Sequence, residues 1–311
     1  VRGPKQHTPE WHEAKRTLIT STDIAAILGV SPWMSEGDVA RHKMGAPEPE
    51  VDDAQARRMR LGLAMEDVVA GEDEAEHGYK LRHVRRMIIS DALPWAGTSL
   101  DFERIGQKTI VEIKTTSMPS TDDGLPERIE AQVRWQMGVA GYPAAHVAIL
   151  RFGSKLECHD IEHDEEVFQG LVQIAEDFRA RLAAGGPFAE TKESMRRGYR
   201  RDDGTEVVAT VEEAKAVGIL LDVRRKIAEL EETDDKICVA LQLRMATAAV
   251  MTGDGFRITW KQSKPTNKVQ WKDLAEELLS RLPDEDRAPI IESKTTQREG
   301  SRPFIVKETQ Q

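Results

Sequence analysis

Ala96-Gly97-Thr98-Ser99-Leu100-Asp101-Phe102-Glu103-Arg104-Ile105-Gly106-Gln107-Lys108-Thr109-Ile110-Val111-Glu112-Ile113-Lys114-Thr115 decides how this chain is read. Residues 95–105 and 108–115 alternate with a period of two around Gly106-Gln107, the pattern of a β-hairpin. With Ile105 opposite Lys108, Asp101 falls opposite Glu112, Leu100 opposite Ile113 and Phe102 opposite Val111. Two carboxylates then share one face with Cβ atoms roughly 5 Å apart, a spacing at which they repel unless a cation or a proton lies between them. Lys114, two residues past Glu112, projects to the same face. An all-oxygen set of this kind suits Mg²⁺ or Mn²⁺, and a lysine beside it can activate a water or stabilise charge building on a phosphate. The same pattern also fits a plain cross-strand salt bridge of Lys114 with Glu112 or Asp101.

Working outward, residues 57–77 have Leu61, Met65, Val68 and Val69 at helical spacing, closed by Gly78. Gly62 and Glu66 lie one turn apart there, so Glu66 can complete a metal shell with the glycine leaving room beside it. A second helix opens at Pro126 and ends at Gly141, with Gln132 and Gln136 one turn apart on one face, where neutral amides can hold a water or a phosphate oxygen. Residues 80–90, 145–152 and 155–161 read as strands and 164–184 as a helix. Thr20-Ser21-Thr22-Asp23 caps a short apolar helix ending at Gly29, and a loop with Ser31-Pro32-Trp33 follows.

The 311 residues carry 44 Lys plus Arg against 54 Asp plus Glu, a net charge of −10, and 39% hydrophobic residues. That is enough apolar material for one large domain and an appendage. We expect a lead-in at residues 1–10 without fixed structure, a core at 11–187 ending near Gly185-Gly186-Pro187, and an appendage at 188–311. The appendage reads as a long helix or helical hairpin from a Thr210/Glu213 capping box, with a break at Thr233-Asp234-Asp235, then a strand at Phe256–Lys261, a helix near Val269–Leu282 and a strand at Pro303–Lys307. No run approaches a membrane span and the first twenty residues hold no apolar signal region, so a cytoplasmic, non-membrane protein is expected. Two cysteines, Cys158 and Cys238, exclude a disulfide scaffold and a cysteine-held iron–sulfur cluster and read as core thiols. His159 and His163 sit on a strand-and-turn pattern that argues against a metal role. Trp33, Trp95 and Trp135 read as core or loop anchors, with Trp33 a candidate for stacking on a base. Basic runs at Arg57-Arg58-Met59-Arg60, Arg82–Arg86 and Arg196–Arg201 are solvated faces or, brought together, a nucleic-acid surface.

Over residues 10–186 the sequence resembles the phage recombination exonucleases of the lambda exonuclease and YqaJ kind, within the PD-(D/E)XK nuclease superfamily. The matching blocks, in order, are Trp11-His12, residues 19–33, Gly62-x-x-x-Glu66, Ala96–Asp101, Val111–Thr115 and Ala131-Gln132-Val133 through Gly141. The resemblance implies an α/β fold, a restriction-endonuclease-like core with a mixed central sheet flanked by helices; the C-terminal appendage is expected to be largely helical from its own pattern. It implies a two-metal or Mg²⁺-dependent nuclease, with Mn²⁺ able to substitute, whose ligands are Asp101, Glu112, the Ile113 carbonyl and, as an additional acidic ligand, Glu66, with Lys114 activating water and Gln132 assisting. A 5′-phosphate is held in the family by an arginine and a serine. Lys15, with Arg16 beside it, and Thr22, with Ser21 beside it, stand at those positions, a departure that keeps charge and hydroxyl but loses arginine's fork. The implied activity is digestion of double-stranded DNA from 5′-phosphorylated ends, leaving 3′ single strands for recombination by strand annealing. A structure-specific or junction-cleaving endonuclease and an inactive DNA-end-binding scaffold are the alternatives. Expected partners are duplex ends, further copies of the chain in a ring (a trimer, with Arg57, Arg58 and Arg60 facing the DNA) and a single-strand annealing protein. A phage or prophage origin is implied as well.

Overall fold

The computed structural model describes residues 1–47, 53–117, 124–265, 269–295 and 302–306. The chain divides into two units, Val1–Arg200 and Arg201–Gln311. In the first, β1 (Arg2–Lys5) precedes α1 (Pro9–Thr17), α2 (Ser21–Ile27), α3 (Glu36–Lys43) and the long α4 (Asp53–His77). β2 (Leu81–His83), β3 (Arg86–Ile89), β4 (Gly97–Ser99), β5 (Phe102–Arg104) and β6 (Thr109–Thr116) come next. α5 (Glu127–Ala140), β7 (Ala144–Arg151), β8 (Lys155–Glu162), α6 (Glu165–Ala184) and α7 (Lys192–Gly198) complete it.

Five strands form a mixed sheet in the order β2-β5-β6-β7-β8, and β1-β3-β4 form a smaller one. β6 and β7 run parallel, which requires a crossover, and α5 supplies it. Because side chains alternate across β6, its two faces are covered by different helices. Ile110 packs with Ile129, Val133 and Met137 of α5, whereas Val111 and Ile113 meet Val69 and Ala70 of α4. A helical layer stacks behind α5: Ile24 of α2, Val39 of α3, Trp135 of α5 and Phe168 and Phe178 of α6 share one core. The mixed sheet flanked by helices is the fold class the sequence implied.

The hairpin register is as expected, with Phe102 opposite Val111 and Glu103 opposite Ile110. Its first arm differs. Residues 95–105 are two short strands, β4 in the small sheet and β5 in the large one, and residues 80–90 split the same way into β2 and β3. The kink falls at Leu100-Asp101. There Leu100 turns into the α5 side of the core rather than pairing with Ile113, and the Asp101 carbonyl accepts from the Val84 amide at 3.1 Å.

Other expectations are corrected. Residues 2–5 are not a loose lead-in but pair with β3, Arg2 opposite Ile88. The glycine-proline break does not end the first unit. Glu190 and Arg197 return to α3, where Arg197 binds Asp38 at 2.6 Å. On α4 the side chains that reach the core are Val69, Ala70 and Asp73, while Leu61 and Val68 are exposed. The loop after Gly29 leads into α3, which Ser35 and Asp38 cap reciprocally.

The second unit holds α8 (Val211–Met245), β9 (Val250–Gly253), β10 (Phe256–Thr259), α9 (Trp271–Ser280) and α10 (Asp284–Lys294). Thr210 and Glu213 form the expected capping box. α8 runs unbroken through Thr233, whose hydroxyl donates to the Glu229 carbonyl at 2.8 Å instead of competing for a turn. β9 and β10 form a hairpin around Asp254-Gly255. Residues 302–306 are not a strand, and Lys307 lies outside the described residues. No helix among the described residues is long and apolar enough to cross a membrane.

Candidate active site

Glu112 sits in the middle of β6 and only 1% of it is exposed. A carboxylate buried to that degree needs several donors. Lys114 donates to its Oε1 from the next position on the same face. Gln132 adds a bond to Oε1 at 2.6 Å, and Gln136 one to Oε2 at 2.8 Å. The two amides, one helical turn apart, reach Glu112 together because α5 lies along that face of the sheet. Gln136 Nε2 also donates to the Ser99 carbonyl at 3.1 Å, while its buried Oε1 has no protein partner.

Asp101 reaches the same place from the kink between the two sheets. Its Oδ2 accepts from the Ile113 amide at 3.0 Å. Burial drives the Asp101 pKa upward, and the charge of Glu112 adds to this against the opposing pull of Lys114. Glu66 arrives from α4, and its pKa too is raised, first by burial and then by Glu112. Burial works against the Lys114 ammonium, but Glu112 and Asp101 outweigh it and keep the lysine charged. Glu66 and Asp101, whose charges are disfavoured by burial and by neighbouring Glu112, make with it an all-oxygen set that fits a hard divalent cation. Mg²⁺ or Mn²⁺ would be held by Asp101, Glu112 and Glu66, with the Ile113 carbonyl as the expected backbone ligand.

The segment before β4 is tied to this centre. The Ile19 amide donates to the Trp95 carbonyl at 2.8 Å and the Gly97 amide to the Ile19 carbonyl at 2.9 Å. Thr20 caps α2 together with Asp23. Lys43, which the sequence reading passed over, donates to the Leu18 carbonyl and to Asp23 Oδ2, each at 2.7 Å. These bonds hold the end of α1, with Lys15 and Arg16, beside the start of α2, with Ser21 and Thr22. Lys15 stands over the Trp11 ring at 4.7 Å. Ser21 is buried, and Thr22 lies 3.1 Å from the Thr20 hydroxyl.

Arg57, Arg58 and Arg60 are exposed on α4. The other basic runs are partly spent on structure, since Arg82 binds Glu103 at 2.9 Å and Arg197 binds Asp38. Trp135 is buried, whereas Trp33 is 72% exposed. Cys158 is half-buried and Cys238 exposed, so the latter is not a core thiol. Ser99 was also missed. Its hydroxyl accepts from the Trp11 indole at 3.0 Å, joining two blocks that the sequence showed only as separate matches.

Fold and site together define a mixed α/β domain with an acid–lysine centre in which a helical glutamine pair holds the strand glutamate. Residues 10–143 match the YqaJ-like viral recombinase domain, which bears out the resemblance drawn from the sequence. The chain is 24% identical to the uncharacterized protein YqaJ of Bacillus subtilis (strain 168), over 96% of this chain and 94% of that protein. Among solved structures it is similar to an alkaline exonuclease of Laribacter hongkongensis, at 19% identity and a TM-score of 0.46 over 57% of this chain and 94% of that one. A phage-related exonuclease of Haemophilus somnus 129PT is similar at 10% identity and a TM-score of 0.40, over 54% of this chain and 96% of that one.

Proposed function

We propose that this chain is a divalent-metal-dependent nuclease that digests double-stranded DNA from 5′-phosphorylated ends and leaves 3′ single strands for annealing. The observation that carries this reading is the buried Glu112 bonded by Lys114, Gln132 and Gln136, with Asp101 on the adjacent Ile113 amide and Glu66 within the electrostatic reach of Glu112 and Lys114. Bound Mg²⁺ would supply Lewis-acid stabilisation of the phosphate and a more acidic water. Lys114 faces that water and the scissile phosphate. As a charged ammonium it would stabilise negative charge building on the phosphate in the transition state and orient the attacking water. Gln132 and Gln136 fix the Glu112 rotamer so that both oxygens are aimed before substrate arrives.

Lys15, Arg16, Ser21 and Thr22 are assigned to the terminal 5′-phosphate, supported by the bonds that bring α1 and α2 together next to the strand leading to Asp101. Arg57, Arg58 and Arg60 are assigned to duplex phosphates, and the assembly to a homo-oligomeric ring, a trimer, that concentrates those charges around the DNA. Exposure of all three arginines, and of Val217, Leu230 and Ile237 on α8, supports both assignments. A single-strand annealing protein would take up the 3′ strand.

The deciding experiment offers Mg²⁺ and linear duplexes with 5′-phosphate or 5′-hydroxyl ends, beside a nicked circle. Loss of nucleotides from 5′-phosphate ends is expected. Cutting of the nicked circle would favour the endonuclease, and end binding without hydrolysis the scaffold.

A further inference from the structure

On the opposite side of the sheet from Gln132 and Gln136, four side chains with metal-ligating atoms converge. Asp73 and His77 are one turn apart near the end of α4. β7 and β8 pair with His146 opposite Asp160 and Ala148 opposite Cys158, which puts His146 and Cys158 on one face, the face that packs on α4. Asp73 Oδ1 lies 3.0 Å from His146 Nε2, 3.1 Å from His77 Nδ1 and 3.9 Å from Cys158 Sγ. All four ligand atoms lie within 4.8 Å of one another. A tetrahedral cation with nitrogen and oxygen at about 2.0–2.1 Å and sulfur at about 2.3 Å needs edges of roughly 3.2–3.7 Å, close to this size.

The surrounding bonds point the same way. His146 Nδ1 is 2.7 Å from Asp160 Oδ1, the carboxylate–histidine pairing that orients a metal-binding ring and keeps its proton on Nδ1 when Nε2 ligates. His146 Nε2 is turned to Asp73 Oδ1, in a place where Asp73 and His146 are at most 1% exposed. The Tyr79 hydroxyl occupies Asp73 Oδ2 and so aims Oδ1 at the cluster. His77 Nδ1 also lies 3.1 Å from the Asp73 carbonyl, a contact it gives up on ligation. Arg104, stacked on Tyr79 at 4.0 Å, is the nearby competing cation. It reaches Asp160 at 3.7 Å, on the far side of His146.

We propose that Asp73, His77, His146 and Cys158 form a structural site for Zn²⁺, separate from the Glu66–Asp101–Glu112 centre. One thiolate, two imidazoles and one carboxylate select Zn²⁺ over Mg²⁺, and the two negative ligands neutralise the dication. The ion clamps the end of α4 to β7 and β8. Glu66 stands seven residues earlier on that helix, about 10 Å away at 1.5 Å per residue, so the clamp also fixes where Glu66 enters the other centre. The assignment stands independently of the nuclease reading.

The test uses the full chain with Cys238→Ser, which leaves Cys158 as the one thiol. Elemental analysis after gel filtration is expected to find about one Zn²⁺ per chain. Co²⁺ replacement should give tetrahedral visible bands with a thiolate-to-cobalt charge-transfer band in the near ultraviolet. Cys158→Ser should abolish that charge-transfer band and His77→Ala should weaken Co²⁺ binding at least tenfold, both variants remaining folded by circular dichroism. Asp101→Asn should leave the spectrum unchanged. A folded chain with neither Zn²⁺ nor the charge-transfer band, or a bound metal indifferent to Cys158→Ser and His77→Ala, would overturn the assignment.

Discussion

Gln136 donates through one nitrogen to both the Ser99 carbonyl, at 3.1 Å, and Glu112 Oε2, at 2.8 Å, and so joins the last residue of β4 to the carboxylate of β6. The two strands belong to different sheets, and the chain between them bends at Asp101. Gln136 therefore sets the distance between the two strongest metal-ligand candidates without being a ligand itself. Gln136→Leu keeps the volume and removes the donor. It should weaken Mn²⁺ binding by calorimetry and lower nuclease activity, each by roughly 10–100-fold. A variant with unchanged Mn²⁺ affinity would show that Glu112 is positioned without it.

Lys114→Ala separates binding from chemistry. The lysine is placed on the water and the phosphate, so duplex binding and Mn²⁺ affinity should persist while the single-turnover rate falls at least about a hundredfold. Asp101→Ala and Glu112→Ala should instead remove Mn²⁺ binding and activity together. Lys114→Ala with more than a tenth of the original rate would reduce its contact with Glu112 to a structural salt bridge.

Much of this site was legible because the chemistry lies on one strand with a strict period of two. Glu112 and Lys114 had to share a face wherever β6 went, and the Gly106 turn fixed the register with β5. The kink was not legible. Nothing local in Leu100-Asp101 announces a bend, which follows from Leu100 finding the α5 core and from Asp101 capping the Ile113 amide. α4 misled for a related reason. Leu61, Val68 and Val69 form a helical stripe, but the α4 side chains that reach the core are Val69, Ala70 and Asp73, so Leu61 and Val68 stay exposed. Lys43 could be found only in three dimensions, since its partners Leu18 and Asp23 lie 25 and 20 residues away.

Lys43 gives a stability prediction. Its side chain and that of Asp23 are 3% and 4% exposed and 2.7 Å apart, and removing one partner strands the other charge in the core. Lys43→Met should cost about 3–5 kcal/mol in denaturant unfolding. Adding Asp23→Asn should recover part of that loss. An isolated Lys43→Met costing under about 1 kcal/mol would mean that water reaches Asp23.

The 5′-end assignment predicts a selective loss. Lys15→Ala with Arg16→Ala should abolish the preference for 5′-phosphate over 5′-hydroxyl ends in initial rate, while ends already engaged are hydrolysed within about threefold of the original rate, since no transition-state contact is touched. A preference that survives the double change would move the phosphate site elsewhere.

The contact between α3 and residues 189–197 predicts acid lability. Burial works against the charges of Glu36, Asp38 and Glu190, but Arg181, Arg197 and Arg41 respectively overcome it and hold each carboxyl below its ordinary range. Groups whose pKa is lower folded than unfolded bind fewer protons in the folded state. Their stabilisation is complete above the unfolded carboxylate values, about 4, and is lost as pH falls through the lower folded ones. Thermal unfolding followed by circular dichroism should therefore show a melting temperature that is flat above about pH 5 with respect to these groups and falls steeply below about pH 4. The variant Glu36→Gln, Asp38→Asn, Glu190→Gln should be less stable at neutral pH and should lose much of that acid slope, because its amides have no proton to gain. An equally steep slope in the triple variant would assign the acid lability to other carboxylates.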